Sequence, residues 1–321
     1  MFDKIPERIR DYAGRFSLVD GVPFKLPVAA INSPALMAIF PINAEKAKAF
    51  LPKDIHPLRL WKKALLIVTV IDYRETPIGK YVEYSIAIAC THGRKPAPRL
   101  LPALFMNFFK AGQYVVDLPV SSEISVKGGK GIWGMPKHQG HLNFNISEER
   151  ISSQYDLDGK LVAYVEIEPP KKTCIPVRTK ASNYCSFRGM LMKSDIFLDA
   201  RCGIRLFRHA KARFVIGDHP RLQAMKELEI GDAIATVFLP SITGTLDDHI
   251  ESWFLDFDQL PEKAPEGMES VVDLSLSEDW LSPPSAPIPP VRMAGTNPCP
   301  SLPIRCRRGQ QRRSPMDPEE P

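Results

Sequence analysis

The chain has 321 residues, 44% of them hydrophobic, enough for one large domain or two modest ones with a sizeable core. Its formal net charge of +5 overstates its basicity, because from Leu281 onward six arginines stand against Asp317, Glu319 and Glu320, a surplus of three that leaves the rest near +2. That balance gives a nucleic-acid partner little electrostatic support, and no apolar run approaches the roughly 20 residues needed to cross a bilayer. The opening residues Met1-Phe2-Asp3-Lys4-Ile5-Pro6 lack the apolar core of a secretory signal. Six cysteines (Cys90, Cys174, Cys185, Cys202, Cys299 and Cys306) show no C-x-x-C spacing, so neither zinc nor a disulfide framework is expected. The expected setting is a reducing cytoplasm, with no nucleic-acid or membrane partner.

Residues 1–20 read as a short amphipathic helix with Ile5, Ile9 and Tyr12 on one face. Pro34 to Ile42 reads as a strand, and Asn43 as the cap of a short helix, Ala44 to Leu51, that Pro52 stops. Ala64 to Tyr73 is β-branched and nearly all apolar, the pattern of a strand covered on both faces. Tyr81 to Thr91 is a further strand on which Tyr81, Glu83 and Ser85 share one face. An acid alternating with Tyr and Ser lines either a polar pocket or the solvent side, and period alone does not choose. Arg94 to Pro102 is a basic loop, and Phe105 to Val116 fits helix or strand equally.

Val120 to Val126 is expected as a strand carrying Glu123, followed by the loop Gly131-Ile132-Trp133-Gly134-Met135-Pro136-Lys137-His138-Gln139-Gly140. Three strands then meander through His141–Ile146, Ile151–Leu157 and Leu161–Glu168, with Asp158-Gly159 as a hairpin signal. Ser182 to Lys193, Ile204 to Arg208 and Lys211 to Ile216 add strands, and His219 to Glu227 a short helix with Pro220 at its start. Gly231 to Leu239 and Thr245 to Phe257 close the pattern. Many strands with short turns imply a mainly β fold, an antiparallel sheet that is closed or sandwiched, spanning residues 1–258. Eleven of the 31 prolines lie between Leu281 and Pro321, so residues 259–321 are expected to form a disordered tail.

Chemistry concentrates in the lysine loop. Lys137 follows Ile132, Trp133, Met135 and Pro136, so its amine is set against apolar side chains. Burial penalises the ammonium form, and a neutral amine condenses with carbonyl compounds. The bland alternative is a turn whose lysine points into water. His92, His138 and His141 lack a carboxylate or cysteine at ligand spacing, so no metal site is expected.

The run Trp133-Gly134-Met135-Pro136-Lys137-His138 resembles the aromatic-x-Pro-Lys-Lys signature of the acetoacetate decarboxylase family. Pro23-Phe24-Lys25, Tyr81-Val82-Glu83, Ser122-Glu123, Asn183-Tyr184 and the run from Asp218 to Trp253 are similar to other parts of that family, in the same order. The resemblance implies a cone-shaped antiparallel β-barrel with a few peripheral helices, assembled as a homo-oligomer. It implies Lys137 as Schiff-base nucleophile, Glu83 as acid–base or positioning carboxylate, and Glu123 in support. Trp133, Met135 and His138 would contact substrate. The substrate would be acetoacetate or a related β-keto acid, decarboxylated through a lysine iminium without a cofactor; acetoacetate decarboxylase is itself the standard example of a lysine activated in this way. Alternatives are aldolase or dehydratase chemistry on pyruvate-like carbonyl compounds, or a non-catalytic small-molecule binder.

Three positions depart from the family pattern. His138 replaces its second lysine, leaving burial to depress the Lys137 pKa. The N-terminal arginine that meets a substrate carboxylate falls near Val28 to Ser33, where this chain has none; Lys25, Arg94 and Arg99 are the candidate replacements. A second glutamate falls near Leu66 and Ile67, leaving Glu83 as the one acid of that pair.

Overall fold

The computed structural model describes residues 7–11, 13–246 and 251–255. Ile5 and Tyr12 of the expected N-terminal helix and the whole expected tail, 259–321, lie outside the described residues. Seven strands carry the architecture: β1 (Val28–Asn43), β2 (Lys63–Tyr73), β3 (Tyr81–His92), β4 (Ala111–Val120), β5 (Ile175–Phe187), β6 (Met190–Leu206) and β7 (Ala235–Leu246). They pair in the order β3-β2-β1-β7-β6-β5-β4, and β4 pairs back onto β3, which closes a seven-stranded barrel. Closure reduces the free edge that an open sheet of these strands would present. The pairings are antiparallel except β4 with β5, which meet in parallel at Gln113–Asn183 and Tyr114–Tyr184.

The alternation along β2 decides what lies inside. Ala64, Leu66, Val68 and Val70 point outward and are fully buried with Leu36, Phe40, Tyr84 and Ile86. They are covered by a second sheet whose longer strands are Ile151–Leu157, Lys160–Ile167 and Ala212–Ile216, and by Leu222, Met225 and Leu228. Leu65 and Ile67 point inward and fill one end of the barrel with Leu58, Ala89 and Ala111. Thr69 and Ile71, further along, line an internal cavity instead. The strand is thus covered on both faces, as its near-continuous apolar run implies. Asn43 caps the next helix as expected, its Oδ1 accepting from the backbone N–H groups of Glu45 and Lys46 at 3.0 and 3.2 Å.

Four expectations change. After a short helix at Glu7–Asp11, residues Arg15–Val19 and Val22–Leu26 form a hairpin rather than continuing the helix. Its turn is Asp20-Gly21 with both residues at positive φ, the same two-residue signal that joins the second-sheet strands at Asp158-Gly159. Ser182 to Lys193 is not one strand, because Arg188-Gly189 turns β5 into β6. β7 runs through Pro240, where the register with its neighbours shifts. The segment expected as a strand at Val120–Val126 ends at Val120, and a helix, Glu123–Trp133, follows.

That helix is disguised by its glycines, each of which costs roughly 1 kcal/mol in helix propensity relative to alanine. Close packing requires them. A Cβ at Gly128 would stand 2.6 Å from the Phe24 ring, one at Gly129 2.3 Å from Cδ of Lys137, and one at Gly131 2.3 Å from Val19. The helix closes on Gly134 in the left-handed conformation, φ +61°, with the N–H groups of Gly134 and Met135 returning to the carbonyls of Lys130 and Gly129.

Candidate active site

The stretch Met135-Pro136-Lys137 leaves the helix as a tight turn, the Lys137 N–H donating to the Met135 carbonyl at 2.7 Å. Lys137–Gln139 then adds in parallel to β4, with Leu118 opposite Lys137 and Val120 opposite Gln139. It takes the β4 edge just beyond the point where β5 departs. Across β4, Val120 is also opposite Glu83 on β3. Glu83 and Gln139 therefore face each other across β4, two strand spacings apart, and Lys137 lies two residues along from that line. The lysine and glutamate side chains lean into the barrel and meet there: Lys137 Nζ lies 2.7 Å from Glu83 Oε2.

The lysine is 5% exposed. Its amine also donates to the Ser125 hydroxyl at 3.0 Å and sits 5.5 Å above the Tyr81 ring. The other Glu83 oxygen accepts from the Tyr73 hydroxyl at 3.4 Å, and the Tyr73 and Tyr81 rings stack at 4.6 Å. This group forms one wall of a cavity of about 120 Å³. Apolar side chains such as Val28, Ile71, Met135, Ile196, Leu198 and Ile242 make most of the remainder. Ser33, Thr69 and Gln113 add neutral polarity, and Gln113 is oriented by donating to Asn183 at 2.7 Å.

Two forces act on the amine in opposite directions. Burial drives the proton off, but the Glu83 carboxylate, aided by Tyr81, outweighs burial and holds Lys137 above the ordinary lysine range. The resting site is an ammonium–carboxylate pair, not the free neutral amine that burial alone implies. Burial also pushes the Tyr73 and Tyr81 hydroxyls up, so both remain protonated donors.

The expected site residues separate. Lys137, Glu83 and Met135 come together at the cavity. Glu123 is exposed in the first turn of the helix, and among the described residues no ion pair or hydrogen bond joins it to the lysine; Ser125, two residues further along the same helix, reaches the amine instead. Trp133 is buried behind the cavity with Leu26, Val115, Leu118 and Cys185. His138, next to the lysine on a strand, points to the opposite face, its Nε2 2.7 Å from the Tyr155 hydroxyl and its Nδ1 3.7 Å from Asp117. Burial, with Arg221 beside it, lowers the His138 pKa to about 4, so this ring adds no positive charge near Lys137 at neutral pH. Lys25, Arg94 and Arg99 are exposed, and Lys137 is the one cation among the cavity-lining residues described.

Ser125, Tyr73 and Gln113 were not singled out by sequence reasoning. Ser125 and Gly129 are four apart on one helix face turned towards the lysine, a pattern readable only once the segment is known to be helical. His92 packs at a tilt against Trp253 with ring centroids 4.2 Å apart, His138 is held by Tyr155 and His141 is exposed, so the three histidines do not converge. Among the described residues, no group of three His, Cys, Asp or Glu side chains is placed to hold a metal ion.

The family model for acetoacetate decarboxylase matches residues 17–184, just over half of the chain. No curated protein matches the chain in sequence. In three dimensions the chain is similar to acetoacetate decarboxylase from Legionella pneumophila subsp. pneumophila str. Philadelphia 1, with 13% identity and a TM-score of 0.52, over 70% of this chain and 89% of that one. A second acetoacetate decarboxylase structure aligns at 12% identity and a TM-score of 0.55, over 72% and 91% of the two chains. The enduracididine biosynthesis enzyme MppR, complexed with pyruvate, aligns at 13% identity and a TM-score of 0.52, over 72% and 90%. At these identities the likeness is one of fold.

Proposed function

The chain belongs to the acetoacetate decarboxylase family, and from that premise we propose that it is a Schiff-base-forming carbon–carbon lyase that decarboxylates a small β-keto acid through Lys137. The observation that carries this reading is a buried amine that faces a largely apolar cavity with a carboxylate 2.7 Å away. As substrate enters, Glu83 takes the proton from Nζ across that distance. The neutral amine attacks the keto carbon, and the resulting carbinolamine loses water, with Glu83 returning the proton to the departing oxygen. The iminium then accepts the electron pair of the bond to the carboxylate carbon, releasing carbon dioxide and leaving an enamine. Protonation of the enamine carbon regenerates an iminium, and water hydrolyses it to the ketone and free lysine. The iminium is the electron sink, so the proposed sequence requires no cofactor. Apolar walls favour loss of a carboxylate that they leave poorly solvated.

A second reading rests on the absence of another cation among the described lining residues. Aldol cleavage or dehydration of a carbonyl compound uses the same iminium and does not need a carboxylate clamp. MppR, which this chain resembles in fold, holds pyruvate, a carbonyl compound that itself carries a carboxylate, so that similarity bears on the shared carbonyl chemistry and not on the missing cation. The two readings separate when acetoacetate is supplied and carbon dioxide and acetone are measured for the native chain and for Lys137→Arg. The arginine keeps a charge opposite Glu83 but supplies no neutral amine, so turnover should fall by at least about 10⁴-fold with the fold retained. Turnover that survives Lys137→Arg contradicts the assignment, and a carbonyl adduct formed without carbon dioxide supports the second reading.

A further inference from the structure

At the opposite end of β3 and β4 from the Glu83–Val120 pairing, Thr91 pairs with Ala111, and there two turns meet. Residues 58–63 and 94–110 are joined by the Leu100 N–H donating to the Arg59 carbonyl at 3.1 Å. Buried Leu58, Ala89 and Ala111 form a floor beneath them. Above that floor six large apolar side chains stand in solvent: Trp61, Leu101, Leu104, Phe105, Met106 and Phe108, with Leu104 75% and Phe108 81% exposed. Single exposed apolar residues are ordinary, but six on two touching turns are not.

Charge in the same two turns is one-sided. They contain Arg59, Lys62, Lys63, Arg94, Lys95, Arg99 and Lys110, and no Asp or Glu. Arg59 is spoken for by Glu45 at 3.3 Å, and Lys110 lies 5.9 Å from the Trp253 ring. Lys63 lies in the field of Glu229, and the other four are exposed and make no ion pair among the described residues. The region up to residue 280 carries a net charge of only about +2, so these turns hold far more than their share.

We propose that this end of the barrel docks on an anionic lipid bilayer, its aromatic and aliphatic side chains entering the interface while the lysines and arginines meet the headgroups. An apolar tip with a cationic rim is complementary to that surface in both respects. A two-fold contact between copies of this patch would set its unpaired cations against one another with no acid within the patch to answer them, which disfavours self-association here. The docking is peripheral, and no helix among the described residues is long and apolar enough to cross a membrane.

The test uses the full chain with vesicles of phosphatidylcholine alone and of phosphatidylcholine with a minority of phosphatidylserine, scored by co-sedimentation at low and high salt. Binding should favour the phosphatidylserine vesicles at least about tenfold and weaken with salt. The double variant Leu104→Ser, Phe108→Ser should lose at least about tenfold of that binding, as should Arg94→Glu with Lys95→Glu. Both variants lie outside the cavity, so retained carbonyl-adduct formation on Lys137, or an unchanged circular dichroism spectrum, establishes that they fold. Equal or absent binding to the two vesicle types overturns the proposal. So does vesicle binding indifferent to both variants, which would place it elsewhere in the chain, or a concentration-dependent dimer that the same variants abolish.

Discussion

Lys137 and His138 are neighbours in the chain and opposites in the fold. Lys137 is buried on one face of a short strand and His138 half-buried on the other, and each stands beside a carboxylate: Glu83 2.7 Å from the lysine, Asp117 3.7 Å from the histidine. On the inner face the pair borders a cavity, and the carboxylate faces the lysine amine and the Tyr73 hydroxyl. On the outer face Asp117 accepts from Arg221 at 2.7 Å and Tyr155 closes over the histidine, beneath the second sheet. Burial and charge are present on both faces. What differs is room for a ligand, and with it the consequence of burial: inside, the ion pair keeps a proton available for transfer, while outside the packing keeps His138 neutral.

The inner pair is the place to strike hardest. Glu83→Gln removes both the base and the counter-charge, and should lower turnover by roughly 10³-fold. It also leaves burial less opposed, so the Lys137 pKa should move down, and the pH dependence of reductive trapping at Lys137 should shift to lower pH with it. A trapping profile that stays in place would mean that Glu83 does not set the state of the amine.

The outer face answers to acid. The folded-state pKa of His138 lies below the unfolded value, so the folded protein resists a proton that the unfolded chain accepts. The stability associated with the neutral ring is complete above pH 6.5 and is lost as pH falls towards about 4, by about 3 kcal/mol at most. Tyr155, Asp117, Arg221, Lys130 and His219 surround the ring, and Asp117, which would favour protonation, is committed to Arg221. Denaturant unfolding at pH 7 and pH 4.5 measures the loss, and His138→Gln should flatten that difference. Equal pH dependence in the native chain and the variant would contradict the assignment.

The smallest lesion lies between the faces. Gly129→Ala puts a methyl group 2.3 Å from Cδ of Lys137 and should displace the amine, lowering turnover by roughly 10²-fold. Stability should change little, because alanine regains up to about 1 kcal/mol of helix propensity. Unchanged turnover would show that the helix does not position the lysine.

How much of this was readable in advance follows from which residues signal locally. The lysine stood out because Trp133, Met135 and Pro136 make its upstream side apolar, and Glu83 because it alternates with Tyr81 and Ser85 on one strand face. Their meeting was not readable. It depends on β4 lying between them and on a parallel register, Leu118 with Lys137, that no local pattern encodes. The helix Glu123–Trp133 was hidden because its glycines answer to neighbours far along the chain, Phe24 and Val19 among them, rather than to propensity. Taking that helix for a strand and loop placed Glu123 towards the lysine and passed over Ser125. Period likewise shows which residues of Lys137–Gln139 take opposite faces, but not that the second face is sealed by Tyr155 and Arg221.

The account rests on Lys137 as the reacting amine of the inner face. Incubation of the native chain with acetoacetate, reduction with borohydride, and peptide mapping by mass spectrometry tests this most directly. A reduced adduct on Lys137, absent from the exposed lysines and absent when acetoacetate is omitted, is the predicted result. A native chain that forms no adduct at Lys137 with acetoacetate or pyruvate, or forms it equally on surface lysines, would contradict the account.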